Sequence, residues 1–315
     1  MGLMLTDVPG FLVGHHTLTE AETGCTVILC PTGTVAGVQV SGGWPGCRDL
    51  PILEPTNASP GIDAIVFSGR SVFGLGVADG VIQWVQENRK SLPDASPIVP
   101  QVPAAVINDL AVGDTSQYTS REHGYLAAGH AAKEYERGSI GAGIGGSVGR
   151  RWGGQERTKG GVGSASITFG TAGVVAALAV VNSFGIVLDE NSQVLAGPRT
   201  ADGQNVDPVQ IARRNPMFPH GDGEEEQTHT TLVAVATNAR LTKTACSVVA
   251  RMAQAGMASA IRPVFAPPDG DIIIVASAGE ENASDAAIGT LASHVVAASI
   301  RDAVRRSNNV TDGAV

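Results

Sequence analysis

Aromatic residues are scarce in this chain, at 4% of 315, and charged residues reach only 16%. With hydrophobic residues at 43%, that shortage of charge excludes a disordered, self-repelling chain and points to a large buried interior. There is no lysine or arginine stripe and no basic tail. Lys and Arg number 21 against 30 Asp and Glu, so the formal charge is -9, and no nucleic-acid partner is expected. The longest apolar stretch, Thr171 to Val181, falls well short of the ~20 residues a spanning helix needs, so no membrane partner is expected either.

Cysteines number four, with no C-x-x-C pair, and they sit mostly in apolar stretches as reduced core residues. Met1 to Val13 has neither a basic n-region nor a continuous apolar h-region, and together these features read as a cytoplasmic protein. The seven histidines are scattered without H-E-x-x-H or another compact ligand spacing, so neither a metal site nor a cofactor is expected. A G-x-S-x-G elbow, which a Ser-His-Asp hydrolase would need, is missing as well.

What the chain has in abundance is glycine, 40 residues, which suits tight turns and close backbone approach in a layered fold. Strand-like runs occupy Cys25–Cys30, Val35–Val40, Ile62–Ser68, Ala104–Ile107, Ala165–Phe169, Val174–Val181, Leu232–Thr237 and Asp271–Ala276. Helical periodicity marks Phe73–Asn88, Ser120–Arg137, Lys243–Ala258 and Ala283–Arg305. Strands fall in neighbouring pairs rather than alternating with helices. That pattern predicts an α/β fold of sheets packed on each other with helices outside, in one domain spanning 1–315. The stretch from Asp189 to His229, including the charge run Glu224-Glu225-Glu226, reads as a surface loop.

Gly141-Ala142-Gly143-Ile144-Gly145-Gly146 satisfies the dinucleotide pattern G-x-G-x-x-G. The next residues, Ser147-Val148-Gly149-Arg150, are too glycine-rich to open the helix that the pattern requires, so the segment reads as a Gly-lined loop. Two other segments admit a bland and a chemical reading. Gln227-Thr228-His229-Thr230-Thr231 is a loop ending in a strand, and it would also place a threonine at an accessible bond held by a rigid strand. A threonine hydroxyl is a weak nucleophile until a base takes its proton, and a free α-amine on the same residue, with a pKa of ~7.7–8.0, can be that base. Asp269-Gly270-Asp271 is a Pro/Gly turn with two acids, and such a pair can also orient an amine and a hydroxyl.

Taken together, the chain resembles the L-aminopeptidase/D-esterase family, which includes the β-aminopeptidases and the endo-type nylon-oligomer (6-aminohexanoate-oligomer) hydrolase. The matching segments are Asp7 to His15, Ser71 to Leu75 with Ala78 to Val81, Val102 to Ile107, Gly160 to Ser166, Val180-Val181-Asn182, Thr230 to Leu241, and Asp269-Gly270-Asp271. The resemblance implies an αββα four-layer sandwich of the N-terminal-nucleophile-hydrolase type. It also implies self-cleavage between His229 and Thr230 into a 1–229 α chain and a 230–315 β chain. By the same resemblance, Thr230 is the nucleophile, Asn182 donates to the oxyanion, and Asp269 and Asp271 position the Thr230 amine and hydroxyl. The implied substrate is a small peptide or amide, with endo-type hydrolysis of 6-aminohexanoate oligomers as the alternative, and the implied assembly is a homo-oligomer, tetrameric or larger.

Three positions depart from that pattern. Many relatives have asparagine where this chain has His229, and lysine where it has Arg150, which keeps the charge without a titratable amine and is given only an electrostatic role. Phe73 stands where some relatives place a tyrosine near the substrate, so it is expected at the substrate site without a phenol, as a pocket wall or else a core residue. These departures leave a second reading, an uncleaved, non-catalytic scaffold with the same fold. A third reading is acyl transfer to an amine by the same kind of threonine.

Overall fold

The computed structural model describes residues 4–88, 99–152, 158–217 and 229–309. Thirteen strands and five α-helices are found among them. One sheet joins β1 (Leu12–Leu18), β2 (Thr23–Leu29), β5 (Ala64–Ser68), β6 (Ala104–Val106) and β4 (Cys47–Arg48) in that spatial order. A second joins β3 (Val35–Val40), β13 (Ile272–Glu281), β11 (Thr230–Ala239), β8 (Gly173–Asn182) and β7 (Gly161–Phe169). A small third sheet is made of β10 (Val194–Ala196), β9 (Ile186–Leu188) and β12 (Ile261–Arg262).

Period-two alternation along β8 explains how the layers stack. Val175, Ala177, Ala179 and Val181 face one way, into a core shared with Val249, Ala253 and Met257 of α4 (Lys243–Ala260) and Val296 and Ile300 of α5 (Asp285–Ser307). Ala176, Leu178 and Val180 face the other way, onto Val13, Ile28, Ile65, Phe67 and Ala105 of the first sheet. The far face of that sheet, Cys25, Val27, Ala64 and Val66, packs on Val77, Val81 and Val85 of α1 (Val77–Asn88) and on Ala127 and Ala128 of α2 (Arg121–Gly129). The result is helix, sheet, sheet, helix, so a strand of the second sheet is apolar on both faces and reads as an almost unbroken hydrophobic run.

The outer layer is held at close range. A Cβ at Gly256 of α4 would fall 2.1 Å from the Ser293 carbonyl of α5, so the two helices touch backbone to backbone. Thr242 caps α4 through the Ala245 N–H and Ser284 caps α5 through the Ala287 N–H, each worth about 1 kcal/mol.

Several sequence expectations need correction. The helix expected over Ser120–Arg137 ends at Gly129, because the chain beyond it is drawn to the sheet, where the Val13 N–H donates to the Ala132 carbonyl and the Ala132 N–H to the Val13 carbonyl. Phe73 does not begin the first α-helix; a 3-10 turn over Ser71–Gly76 precedes it. The stretch from Asp189 is not loop alone, since it contains β10 and α3 (Pro208–Arg214), which Asp207 caps through the Val209 N–H. The run Glu224-Glu225-Glu226 lies outside the described residues. The glycine-rich segment from Gly141 is a loop with a single 3-10 turn, as its composition requires.

Candidate functional site

Sheet topology brings separate parts of the sequence to one edge. β8 runs antiparallel to β11 with Asn182 opposite Thr230, so the end of one strand adjoins the start of the other. β13 runs parallel to β11, with Ile272 opposite Leu232, so Asp271 also stands at that edge. β3 is antiparallel to β13, and the chain leaving it stays close: the Ser41 N–H donates to the Asp271 carbonyl and the Trp44 N–H to the Asp269 carbonyl. Thr230, Asn182, Asp269 and Asp271 are thereby gathered, each at most 3% exposed.

The bond between His229 and Thr230 is the centre of this gathering. The Thr230 hydroxyl donates to the His229 carbonyl oxygen at 2.6 Å, and the Gly270 N–H donates to the same oxygen at 2.9 Å. Two donors on one carbonyl oxygen polarise that carbonyl. Gly270 is required here by space: a Cβ on it would lie 2.8 Å from the Thr230 hydroxyl oxygen and 2.9 Å from the Trp44 carbonyl.

The two carboxylates are held by backbone groups. Asp271 accepts from the Thr231 N–H at 2.7 Å and the Phe265 N–H at 3.1 Å, fixing the residue next to Thr230 rather than Thr230 itself. Asp269 accepts from the Ala266 N–H through one oxygen, while its other oxygen is buried without a hydrogen-bond partner among the described residues. Burial pushes both carboxyls above the usual carboxylate range, and the Asp271 charge pushes Asp269 further.

Asn182 is oriented from the glycine-rich loop. Its side-chain oxygen accepts from the Ser147 N–H and hydroxyl, and its amide nitrogen donates one proton to the Asn108 carbonyl at 3.1 Å. A carboxamide nitrogen carries two protons, so this contact leaves a second for other work. Beside it lies a cavity of about 20 Å³, room for about one water, lined among others by Asn108, Ser147, Arg150, Asn182 and His229. Arg150 is exposed on its rim. Phe73 is not among the lining residues; it is 60% exposed and meets Tyr118 edge-on at 5.2 Å.

Sequence reasoning missed Asn108, Ser147 and Gly270. Two of them act through a backbone atom alone and Ser147 partly so, and a backbone atom has no signature in the sequence.

Comparison with known proteins gives this arrangement a context. Over 299 residues the chain is 37% identical to an aminopeptidase of Mycobacterium leprae described as uncharacterized, covering 89% of this chain and 80% of that one. It is 28% identical over 290 residues to the 6-aminohexanoate-oligomer endohydrolase of Paenarthrobacter ureafaciens, covering 87% and 74%. The L-aminopeptidase D-Ala-esterase/amidase of Ochrobactrum anthropi, described as a variant of the Ntn-hydrolase fold, superposes with a TM-score of 0.68 at 20% identity, covering 96% and 86%. That likeness shows the fold, an α/β sandwich of the Ntn-hydrolase type. The family model for peptidase family S58 matches residues 4–315, and with the 37% relative it settles the matter: the chain is a peptide hydrolase and belongs to peptidase family S58.

Proposed function

We propose that the chain is an aminopeptidase-type amide hydrolase whose nucleophile is Thr230, made available by self-cleavage between His229 and Thr230. The observation that carries this reading is the hydroxyl of Thr230 held on the carbonyl of its own preceding residue, with the Gly270 N–H on the same oxygen. In the first step the hydroxyl oxygen adds to the His229 carbonyl carbon, and negative charge develops on the oxygen that Gly270 already contacts. Expulsion of the Thr230 nitrogen, with a proton, leaves an ester and a free amine. Water hydrolyses that ester, giving a carboxylate at His229 and returning the hydroxyl.

The amine of Thr230 then serves as base for its own hydroxyl when a substrate amide arrives. Asn182 supports the substrate's tetrahedral oxyanion with its second amide proton, a role worth ~3–4 kcal/mol of barrier in comparable sites. In this reading the new ammonium is taken by the Asp269 oxygen that has no hydrogen-bond partner among the described residues, and Asp271 keeps the strand start in place through Thr231. Arg150, on the cavity rim, contributes positive charge without exchanging a proton. The substrate class is a small peptide or amide.

Four free cysteines favour the cytoplasm as its location, and no helix among the described residues is long and apolar enough to cross a membrane. The exposed Trp44, Val72, Phe73 and Tyr118 offer apolar surface that a homo-oligomer would cover, and size-exclusion chromatography with light scattering tests for the tetramer or larger assembly that the resemblance implies.

The decisive experiment is mass spectrometry of purified protein incubated at neutral pH. Fragments 1–229 and 230–315 are expected, with Thr230→Ala remaining whole and unable to hydrolyse amino-acid amides. Full activity from a chain that stays whole would overturn the proposal.

A further inference from the structure

His229 is an odd residue to bury. It is 2% exposed, and among the described residues neither of its ring nitrogens meets a hydrogen-bond partner. A residue present only to fill space would more cheaply be a hydrocarbon ring. Its imidazole tilts against Phe184 at 5.9 Å between ring centres, and Phe184 packs in turn on Trp152 at 5.0 Å, within a small apolar cluster that includes Val206 and Ala266. The same histidine forms a wall of the cavity next to Asn182.

A substrate amide must bring its carbonyl to the hydroxyl of Thr230, and in the uncut chain that position belongs to the carbonyl of His229. The residue on the acyl side of a substrate then takes the path of His229. We infer that the place filled by the His229 side chain against Phe184 is the subsite for the acyl-side residue, and that it takes a neutral, planar side chain of imidazole or phenyl size. This rests on the reading of Thr230 as a self-liberated nucleophile.

Two further observations agree. The free space left in the uncut chain holds about one water, so no substrate side chain enters until His229 withdraws. Burial, with Arg151 and Arg150 nearby, pushes the imidazole down to about 3, so the occupant is neutral at physiological pH. A lysine, arginine or glutamate side chain would have to bury its charge against the apolar cluster. The cut thus has two effects, freeing the nucleophile and emptying the subsite.

The test uses self-processed protein and a panel of aminoacyl p-nitroanilides with free amino termini. Histidyl and phenylalanyl substrates are expected to exceed alanyl, lysyl and glutamyl ones at least tenfold in kcat/KM. Phe184→Leu, which keeps an apolar wall of different shape, is expected to narrow that preference chiefly through KM. If the chain is cut before Thr230 and active, yet prefers alanyl or charged acyl residues or ignores the side chain, the subsite assignment is wrong while the nucleophile stands. If the protein hydrolyses these substrates uncut, the nucleophile reading falls and the subsite falls with it. Retention of the full histidyl preference in folded, processed Phe184→Leu would also overturn the assignment of that wall.

Discussion

Two regions of this molecule bury carboxylates, and they treat them differently. Asp109, which lines the cavity, sits beside Arg70, a fully buried arginine. The Arg70 N–H donates to one Asp109 carboxylate oxygen, and its guanidinium donates to the carbonyls of Asp109, Ala21 and Asp114. Burial raises the Asp109 carboxyl and the Arg70 contacts pull it back. Asp269 has Asp271 as its neighbour instead, a second acid that raises it further; one oxygen of each of Asp109 and Asp269 lacks a hydrogen-bond partner among the described residues, so the difference lies in the sign of the neighbouring charge. Compensated charge ties loops together, whereas an uncompensated pair beside a reactive bond retains the capacity to take up a cation or move a proton.

Breaking the acidic pair should show its chemical role most strongly. Asp269→Asn removes an ionisable group while keeping the shape, and is expected to slow both self-cleavage and amide turnover by ~10²–10⁴ with no loss of thermal stability. Gel densitometry of the cut and a melting curve together decide it, and a large drop in melting temperature would place Asp269 among the structural charges. Arg70→Met should do the reverse. Leaving Asp109 buried without its cation is expected to cost ~3–5 kcal/mol in urea unfolding, while whatever fraction folds still cuts itself.

Gly270→Ala probes the space between the acids. Its methyl group would press on the Thr230 hydroxyl and the Trp44 carbonyl, so the expected loss is ~1–3 kcal/mol of packing, seen mainly as a slower cut. A normal rate would show that the strand start yields freely.

The smallest effect is on the pH dependence of stability. A carboxyl whose folded pKa lies above its unfolded value of ~3.9 favours the fold fully below that pH, and the contribution is lost as pH rises through the folded value. Asp269→Asn should therefore flatten part of the decline in stability above about pH 4, measured against a Thr230→Ala background so that all samples are single chains.

How far the sequence carries toward this picture depends on which atoms do the work. Val35–Val40 emerges as a strand with its expected bounds, and Val174–Val181 as the centre of β8, because side-chain alternation and apolar runs are written in residue types. Leu12–Leu18 escaped notice because His15, His16 and Thr17 interrupt its apolar pattern, although His15 is held by the Thr26 hydroxyl and the Glu136 carbonyl. At the site, the segments holding Thr230, Asn182, Asp269 and Asp271 were legible, and the topology gathers all four. The contacts that set their geometry come largely from the Gly270 and Ser147 N–H groups and the Asn108 carbonyl, backbone atoms that residue types do not reveal. Phe73 was expected near the substrate, and its exposed position against Tyr118 could be found only from the folded chain.

β11 has a neighbour on each side, β8 and β13, through nearly its whole length. Opening the bond that precedes it, between His229 and Thr230, would thus leave both ladders intact, and the fragments would remain one body without a covalent tether. Refolding, however, changes order: a whole chain regains its structure by a first-order process, but two pieces must first meet. Dilution should lower the melting point of the cut protein and leave that of Thr230→Ala unmoved, so the proposed self-cleavage would also make the enzyme's endurance depend on how much of it is present.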